Sequence, residues 1–170
     1  MKKSSKKIIK IALEVGFVIA VFFAFTWWQN RDLLAVDESQ APDFALQTLE
    51  GEVVHLSAYR GQKVLLYFFA PWCTVCRLSA DNLNDLRVAR TTEELQIFAM
   101  ALSWDSQAEV EAFVHDLELD VPVLLGYEQQ SMDYKIKGFP TYYVIDEAGV
   151  IQSRSMGYTT EWGMRIRTWK

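Results

Sequence analysis

The sequence predicts an α/β fold, with a central mixed β-sheet flanked by helices, behind a single N-terminal membrane-spanning helix. Two largely apolar runs, 63–68 (KVLLYF) and 95–102 (LQIFAMAL), have the composition of buried parallel strands. Each run is followed by a segment of helical periodicity, and this alternation indicates right-handed parallel βαβ units. A third apolar run, 11–28, would span about 27 Å as a helix, close to the thickness of a bilayer's hydrocarbon core.

The N-terminal segment combines a basic tail with this apolar run. Residues 1–10 carry five lysines and no acid, whereas residues 11–28 carry one charge, Glu14, about a turn from Lys10. By the positive-inside rule, the tail stays in the cytoplasm and the rest of the chain lies outside. The residues that follow the apolar run are bulky and offer no small-residue cleavage site. We therefore expect an uncleaved anchor rather than a signal peptide.

Beyond the tail the chain is acidic, with 12 basic residues against 22 acidic ones, which argues against nucleic acid as a partner. Residues 29–41 are predicted to be a linker and residues 42–170 a folded domain with one core. The predicted elements of the domain are, in order, a hairpin (43–47 and 53–56), a helical turn (57–61), the strand at 63–68, a helix ending near Ala89, the strand at 95–102, a helix capped by Asp105 or Ser106, an extended piece (121–125), a short helix (128–136), a second hairpin (142–145 and 150–156) and a C-terminal helix (161–169).

The first βα connection contains two cysteines, Cys73 and Cys76, in the run FAPWCTVCR. Because this run joins a predicted strand to a predicted helix, Cys73 should lie at the helix N-terminus. Unpaired N–H groups and the positive end of the helix dipole favour a thiolate there, which makes Cys73 a nucleophile. Cys76 follows one turn later on the same side, where it can attack a mixed disulfide formed at Cys73. The pattern predicts a site for dithiol–disulfide exchange.

Other interpretations of the cysteine pair are weaker. A structural zinc site needs four ligands, and His55 and His115 show no ligand spacing. A purely structural disulfide across so short a loop removes little unfolded-chain entropy. A thiol peroxidase would explain the APDF opening, which peroxiredoxins share, but those place Thr or Ser three residues before the reactive cysteine, and this chain has Ala70. A membrane-tethered binding module that holds Cu(I) on the two thiolates is the remaining alternative.

Three runs carry a family resemblance: APDFALQTLEGEVVHLSAYRG, KVLLYFFAPWCTVCR and GFPTYYVIDEAG. In order and spacing they resemble the membrane-anchored thioredoxin-like proteins of bacteria, the TlpA/ResA/DsbE group, and within it the ScsD-like protein disulfide oxidoreductases. The resemblance covers roughly residues 41–168. It implies a thioredoxin fold, with the first hairpin as an N-terminal extension, on the outer face of the cytoplasmic membrane.

The resemblance also implies the roles of individual residues. Cys73 would be the nucleophile and Cys76 the resolving thiol. Trp72 and Phe139 would form an apolar rim around the sulfurs, and Pro140 would be cis and align an extended substrate segment. No cofactor is implied. The implied partners are cysteine-containing extracytoplasmic proteins and a membrane thiol–disulfide electron donor or acceptor, and we expect the protein to act as a reductant.

Two positions depart from the family pattern. Thioredoxin has a buried Asp six residues before the first cysteine, where this chain has Tyr67. Several apocytochrome-directed relatives have a Glu three residues after the second cysteine, where this chain has Ser79. Without either carboxylate, the proton of Cys76 must go to water, to the substrate, or to another acid such as Asp81 or Asp105.

Overall fold

The computed structural model describes residues 2–169. Met1 and Lys170, which fall within the predicted tail and the predicted domain, lie outside the described residues. The chain divides after Asp32 into two compact units, the first of which is helical while the second holds the sheet. The two units are described separately below.

The first unit is one long helix, α1 (Lys2–Asn30). Within it, Ile9–Asn30 is long and apolar enough to be a candidate membrane span. The helix therefore contains the predicted span, 11–28, and continues past it at both ends. Lys10 and Glu14 form an ion pair on its surface, with 3.7 Å between Nζ and Oε1. A carboxylate that faces a lysine one turn away is less costly near a bilayer surface than an isolated one.

The second unit alternates strands and helices as predicted. Its elements are β1 (Ala45–Gln47), β2 (Val53–His55), a 3₁₀ turn (Leu56–Tyr59), β3 (Val64–Phe69), α2 (Thr74–Ala89), β4 (Gln96–Ala101), α3 (Gln107–Asp116), β5 (Val123–Leu125), α4 (Glu128–Asp133), β6 (Thr141–Ile145), β7 (Ile151–Met156) and α5 (Glu161–Thr168). Ser106, one of the two predicted caps, precedes α3.

The main sheet is mixed, with strand order β5-β4-β3-β6-β7. Strands β3, β4 and β5 run parallel, whereas β6 pairs antiparallel with β3 and β7 pairs antiparallel with β6. The parallel half comes from the two βαβ units and the antiparallel half from the C-terminal hairpin. The predicted class, a central mixed sheet flanked by helices, is confirmed.

Strand β3 is buried along its whole length, which explains why it reads as a continuous apolar run. Successive side chains point to opposite faces of a strand. Leu65, Tyr67 and Phe69 face the core beneath α2, α3 and α5. Leu66 and Phe68 face a second core on the other side of the sheet. The cysteine-bearing loop thus leaves a strand that is held from both sides.

The hairpin of β1 and β2 covers the β5 edge of the main sheet. Thr48 pairs with Leu124 in an isolated bridge, and the N–H of Leu49 donates to the carbonyl of Val123 at 3.1 Å. An unprotected edge strand exposes unpaired backbone groups that can recruit another chain. The hairpin extension satisfies part of that edge.

The sequence predicts that the folded domain starts at Pro42, but the folded unit begins earlier, at Leu33. Leu33 and Leu34 are buried against the sheet. The N–H of Leu34 donates to the hydroxyl of Tyr143 at 3.2 Å, and Arg154 donates to the carbonyls of Leu33 and Leu34. Much of the predicted linker is therefore part of the domain. Two adjacent leucines in a polar stretch have no periodicity, so the sequence alone did not place them in the core.

The sequence predicts a short helix that continues to Ile136, but α4 ends at Asp133. The reason lies in the backbone at Lys135, which has a positive φ of 51° and so cannot continue a right-handed helix. The N–H of Ile136 then donates to the carbonyl of Ser131 at 2.8 Å, which closes the helix end.

Candidate active site

The cysteine pair lies in the connection from β3 to α2. After Phe69 the chain turns, and the N–H of Cys73 donates to the carbonyl of Ala70 at 3.0 Å. Cys73 is the N-cap of α2, and its Sγ accepts from the N–H of Cys76 at 3.1 Å. A sulfur in that position satisfies an N–H that the first helical turn leaves unpaired. The same N–H would stabilise a thiolate at Cys73 after reduction.

Cys73 and Cys76 are joined by a disulfide, with Cα atoms 5.2 Å apart. The two residues differ in access to solvent: Cys73 is 6% exposed, whereas Cys76 is fully buried. An incoming thiol or disulfide therefore reaches the Cys73 side first. This asymmetry distinguishes an attacking sulfur from a resolving one.

Trp72 is held in a fixed position beside the disulfide although most of its side chain is exposed. Its indole Nε1 donates to the carbonyl of Ser103, in the loop between β4 and α3, at 3.0 Å. Its ring meets the ring of Phe139 edge to face, with centroids 5.8 Å apart. Contacts from two separate loops thus fix the orientation of the exposed Trp72 ring next to the sulfurs.

The Phe139–Pro140 peptide bond is cis, and Pro140 is buried at the start of β6. The next residue, Thr141, donates its hydroxyl to the carbonyl of Gly138 at 2.8 Å, which closes this loop. A cavity of about 250 Å³ lies between the loop and the disulfide. Among the residues that line it are Trp72, Cys73, Ser103, Ser131 and Phe139.

A pair of buried hydroxyl groups lies behind the second cysteine. The hydroxyl oxygens of Tyr67 and Ser79 are 2.6 Å apart, and Ser79 donates to the carbonyl of Cys76 at 3.2 Å. Because Ser79 has one hydroxyl proton and directs it to that carbonyl, Tyr67 is the donor to Ser79. Strand β3 is thereby linked to the first turn of α2 by a short chain of hydrogen bonds.

These hydroxyl groups belong to the two residues, Tyr67 and Ser79, at which the sequence departs from the pattern of the proteins it resembles. Burial raises the pKa of Tyr67 to about 12, and the hydrogen bond with Ser79 opposes part of that rise. Tyr67 is therefore neutral at physiological pH and is not a proton acceptor there. Of the residues whose side chains are described, no aspartate or glutamate is buried. Asp81 and Asp105, the acids suggested by the sequence, are both exposed.

The part of the chain that is described offers little for a metal. Across residues 2–169, no three His, Cys, Asp or Glu side chains lie close enough together to hold an ion. His55 and His115 are both exposed. The two cysteine sulfurs could serve as a pair of soft ligands, but in this structure they are bonded to each other.

The structure brings together most of the residues that the sequence suggested. Trp72, Cys73 and Phe139 line one cavity, with Cys76 beneath Cys73 in the core. Sequence reasoning missed Ser103 and Ser131, which line the same cavity from the β4–α3 loop and from α4. No motif marks either residue, and their contribution depends on how the loops meet in three dimensions.

The chain is similar in sequence and in fold to known proteins. The chain is 31% identical over 154 residues to the thioredoxin-like protein YneN of Bacillus subtilis. This match covers 86% of this chain and 90% of YneN. It is 27% identical over 164 residues to the thiol-disulfide oxidoreductase ResA of Geobacillus kaustophilus, covering 95% and 93% of the two chains. A crystal structure from Chlorobium tepidum, named as a thiol:disulfide interchange protein DsbE, superposes with a TM-score of 0.69 at 27% identity and covers 79% of this chain and 99% of that one.

Taken together, these findings define a thioredoxin-fold thiol–disulfide oxidoreductase, as the sequence predicts. The match to the family model extends over residues 38–154, which is most of the second unit. The chain belongs to the AhpC/TSA family. Its substrates, as a member of the oxidoreductase class, are proteins that contain cysteine.

Proposed function

We propose that the protein reduces disulfides in extracytoplasmic proteins, with Cys73 as the nucleophile and Cys76 as the resolving thiol. The observation that carries this proposal is the asymmetry of the pair: Cys73 caps α2 and opens to the cavity, while Cys76 is fully buried one turn further on. A sulfur that opens to a cavity at a helix N-terminus suits attack, and a fully buried neighbour suits intramolecular release.

In the proposed reaction, the Cys73 thiolate attacks one sulfur of a substrate disulfide. A mixed disulfide forms and the other substrate sulfur leaves as a thiolate. That thiolate takes the proton of Cys76, because no buried carboxylate is available among the described side chains to accept it. Cys76 then attacks Cys73 and releases the second substrate sulfur, so that two electrons pass to the substrate and the Cys73–Cys76 disulfide remains.

The residues between the two cysteines support the proposed direction of electron flow. Thr74 and Val75 are neutral, so this interval adds no cationic side chain to the Cys76 N–H that would stabilise the thiolate. Strong oxidants of the thioredoxin fold, such as DsbA, are strong because their reduced form is unusually stable. A thiolate with less stabilisation favours a reductant.

Trp72, Phe139 and Pro140 are the residues we propose to hold the substrate. The edge-to-face pair of Trp72 and Phe139 gives an apolar surface beside Cys73. Phe139 precedes β6 and lies where an extended segment could add to the sheet by backbone hydrogen bonds. Such a site accepts many sequences, because main-chain contacts supply much of the affinity.

For the location, we propose that Ile9–Asn30 anchors the protein in the cytoplasmic membrane, with the lysine-rich tail inside and the second unit outside. A membrane thiol–disulfide electron donor would then return Cys73 and Cys76 to the reduced form after each cycle. The same proposal divides the chain into a lysine-rich tail, the membrane helix, and a redox domain that includes Leu33.

Thiol labelling in intact bacterial cells tests both the orientation and the direction. The sequence contains two cysteines, so every label on the full-length protein reports on this site. A membrane-impermeant maleimide should label the protein without added reductant, because the site faces outward and is kept reduced. The variant in which both cysteines are serine is the blank. Labelling only after lysis would contradict the orientation, and labelling only after added reductant would contradict a reducing role.

A further inference from the structure

A second cavity, of about 460 Å³, adjoins the one over Cys73. The two cavities share Ser103 and Ser131 in their linings, so they are neighbours, and together they are called the groove below. We propose that the second cavity is a subsite for an apolar or aromatic side chain of the substrate polypeptide, close in sequence to the substrate cysteine. The proposal rests on the function proposed above and adds to it a preference among substrates.

The far wall of this groove is aromatic and rigid. The indole Nε1 of Trp104 donates to the carbonyl of Gly126 at 2.9 Å. The ring of Trp104 lies against that of Tyr127, with centroids 5.7 Å apart. Trp104 packs against the main core on one side but is only half-buried, and Tyr127 is 56% exposed, so the pair also presents ring surface to solvent.

Trp104 is held in the same way as Trp72 at the other end of the groove. In each case a backbone carbonyl accepts the indole N–H, from Gly126 for one and from Ser103 for the other. Since neither N–H needs a partner from a ligand, an apolar group can cover either ring without leaving a buried donor unpaired. Both rings are also fixed before binding, so less side-chain entropy is lost when a ligand binds.

The backbone between the two tryptophans is strained in a way that shapes this groove. Ser103 has a φ of +53°, a left-handed conformation that costs a non-glycine residue on the order of 1 kcal/mol. Gly126 forms the floor, where an added Cβ would lie 2.8 Å from side-chain carbons of Met100 and Leu102. A strained serine, and a glycine at which a side chain would have to displace Met100 and Leu102, indicate a groove shape that the surrounding structure maintains.

The occupant we infer is a side chain of a protein substrate, because the groove includes the cavity over Cys73. A polypeptide whose cysteine reaches Cys73 must pass its flanking residues over the neighbouring surface, and Ser103 and Ser131 lie along that path. The cavity volume falls in the range, roughly 300–1,000 Å³, of pockets that bind sizeable organic groups. Glu128 at the rim should disfavour an acidic residue there.

A positional series of peptides tests the subsite. Each peptide carries one disulfide and one tryptophan, which is moved residue by residue along both flanks of a cysteine. With the reduced wild-type protein, kcat/KM should rise about tenfold when the tryptophan stands at the matching position, and fall again when aspartate replaces it. The ratio of kcat/KM for the matching tryptophan peptide to kcat/KM for the aspartate peptide should fall toward one in the Trp104→Ala variant, while Trp104→Phe should keep most of it. This ratio is not changed by a general loss of folded protein.

The control is Trp162→Ala, which removes an exposed tryptophan from α5, away from the groove. This variant should keep the wild-type ratio. An unchanged ratio in Trp104→Ala, or no positional preference in the wild type, would overturn the proposal.

A binding measurement separates this proposal from the proposed function. The oxidised wild-type protein is titrated with peptides in which serine replaces each cysteine, and the heat of binding is recorded. Tighter binding of the matching peptide, lost in Trp104→Ala, supports the subsite even if the reduced protein exchanges with no disulfide at all. Exchange that proceeds normally, together with peptide binding that is indifferent to tryptophan position, refutes the subsite and leaves the proposed function standing.

Discussion

Replacement of Cys73 by serine is expected to abolish disulfide exchange, whereas replacement of Cys76 by serine should arrest the reaction at a mixed disulfide with substrate. The first change removes the sulfur that opens to the cavity, and a serine hydroxyl is not ionised at neutral pH. We expect a loss on the order of 10³-fold or more. The second change leaves the attacking sulfur in place but removes the group that releases the substrate.

The two variants are compared by reduction of a protein disulfide and by non-reducing gel electrophoresis. Cys76→Ser should accumulate a covalent adduct that dithiothreitol dissolves, and Cys73→Ser should form none. Trp162→Ala, far from the cysteines in the chain and exposed on α5, serves as the matched control and should react as the wild type does. An adduct on Cys73→Ser in place of Cys76→Ser would show that the two roles are reversed.

Alkaline pH is expected to unfold the second unit near pH 11. Burial raises the pKa of Tyr67 and of Tyr143 to about 12, and it also raises the pKa of Tyr134 and Tyr142 above the usual range. Unfolded tyrosine loses its proton near pH 10. Between about pH 10 and 12 the folded state therefore holds protons that the unfolded state has lost, so stability falls as pH rises.

The expected size follows from the number of groups. Each such tyrosine contributes stability that is fully present below about pH 10 and then declines by about 1.4 kcal/mol per pH unit. Four of them together give about 5.6 kcal/mol per pH unit, which is comparable to the whole stability of an ordinary domain. Urea unfolding of residues 33–170 at several pH values measures this slope.

The variant Tyr67→Phe sharpens this test. It should reduce the slope by about one proton equivalent, and at pH 7 it should cost about 1 kcal/mol because the hydrogen bond to Ser79 is lost. Tyr158→Phe, at an exposed position, is the control and should leave the slope unchanged. Tyrosine absorbance that titrates fully near pH 10 while the circular dichroism stays native would contradict this prediction.

Much of the fold could be predicted because its elements have strong local patterns. The continuous apolar run of β3 and the helical spacing in α2 located the strand, the helix and the N-cap at Cys73. The predicted end of α2, Ala89, agrees with the structure. Where a feature depended on contacts distant in sequence, prediction was less complete. Leu33 and Leu34 are in the core because Tyr143 and Arg154 bind their backbone, and no local pattern reports that.

The site divides in the same way. The spacing of Cys73 and Cys76 is a local motif, so the chemistry was visible in the sequence. The departures at Tyr67 and Ser79 were also visible in the sequence. Only the fold shows that the hydroxyl groups of these two residues, twelve positions apart, form a hydrogen bond with each other. The groove at Ser103 and Trp104 had no counterpart in the sequence analysis. The groove is formed by loops that are distant in sequence, and the positive φ of Ser103 in one of them is visible only in the structure.

The reduction potential of the Cys73–Cys76 pair tests the proposed reducing role most directly. The soluble unit, residues 33–170, is the suitable fragment because it retains the packing of Leu33 and Leu34. After equilibration with glutathione buffers, the fraction of disulfide is read by thiol alkylation. A potential near or below about −200 mV, toward that of thioredoxin, is the result we expect. A potential near about −120 mV, as in the strong oxidant DsbA, would contradict a reducing role, and a pair that never reaches a reversible equilibrium would contradict disulfide exchange itself.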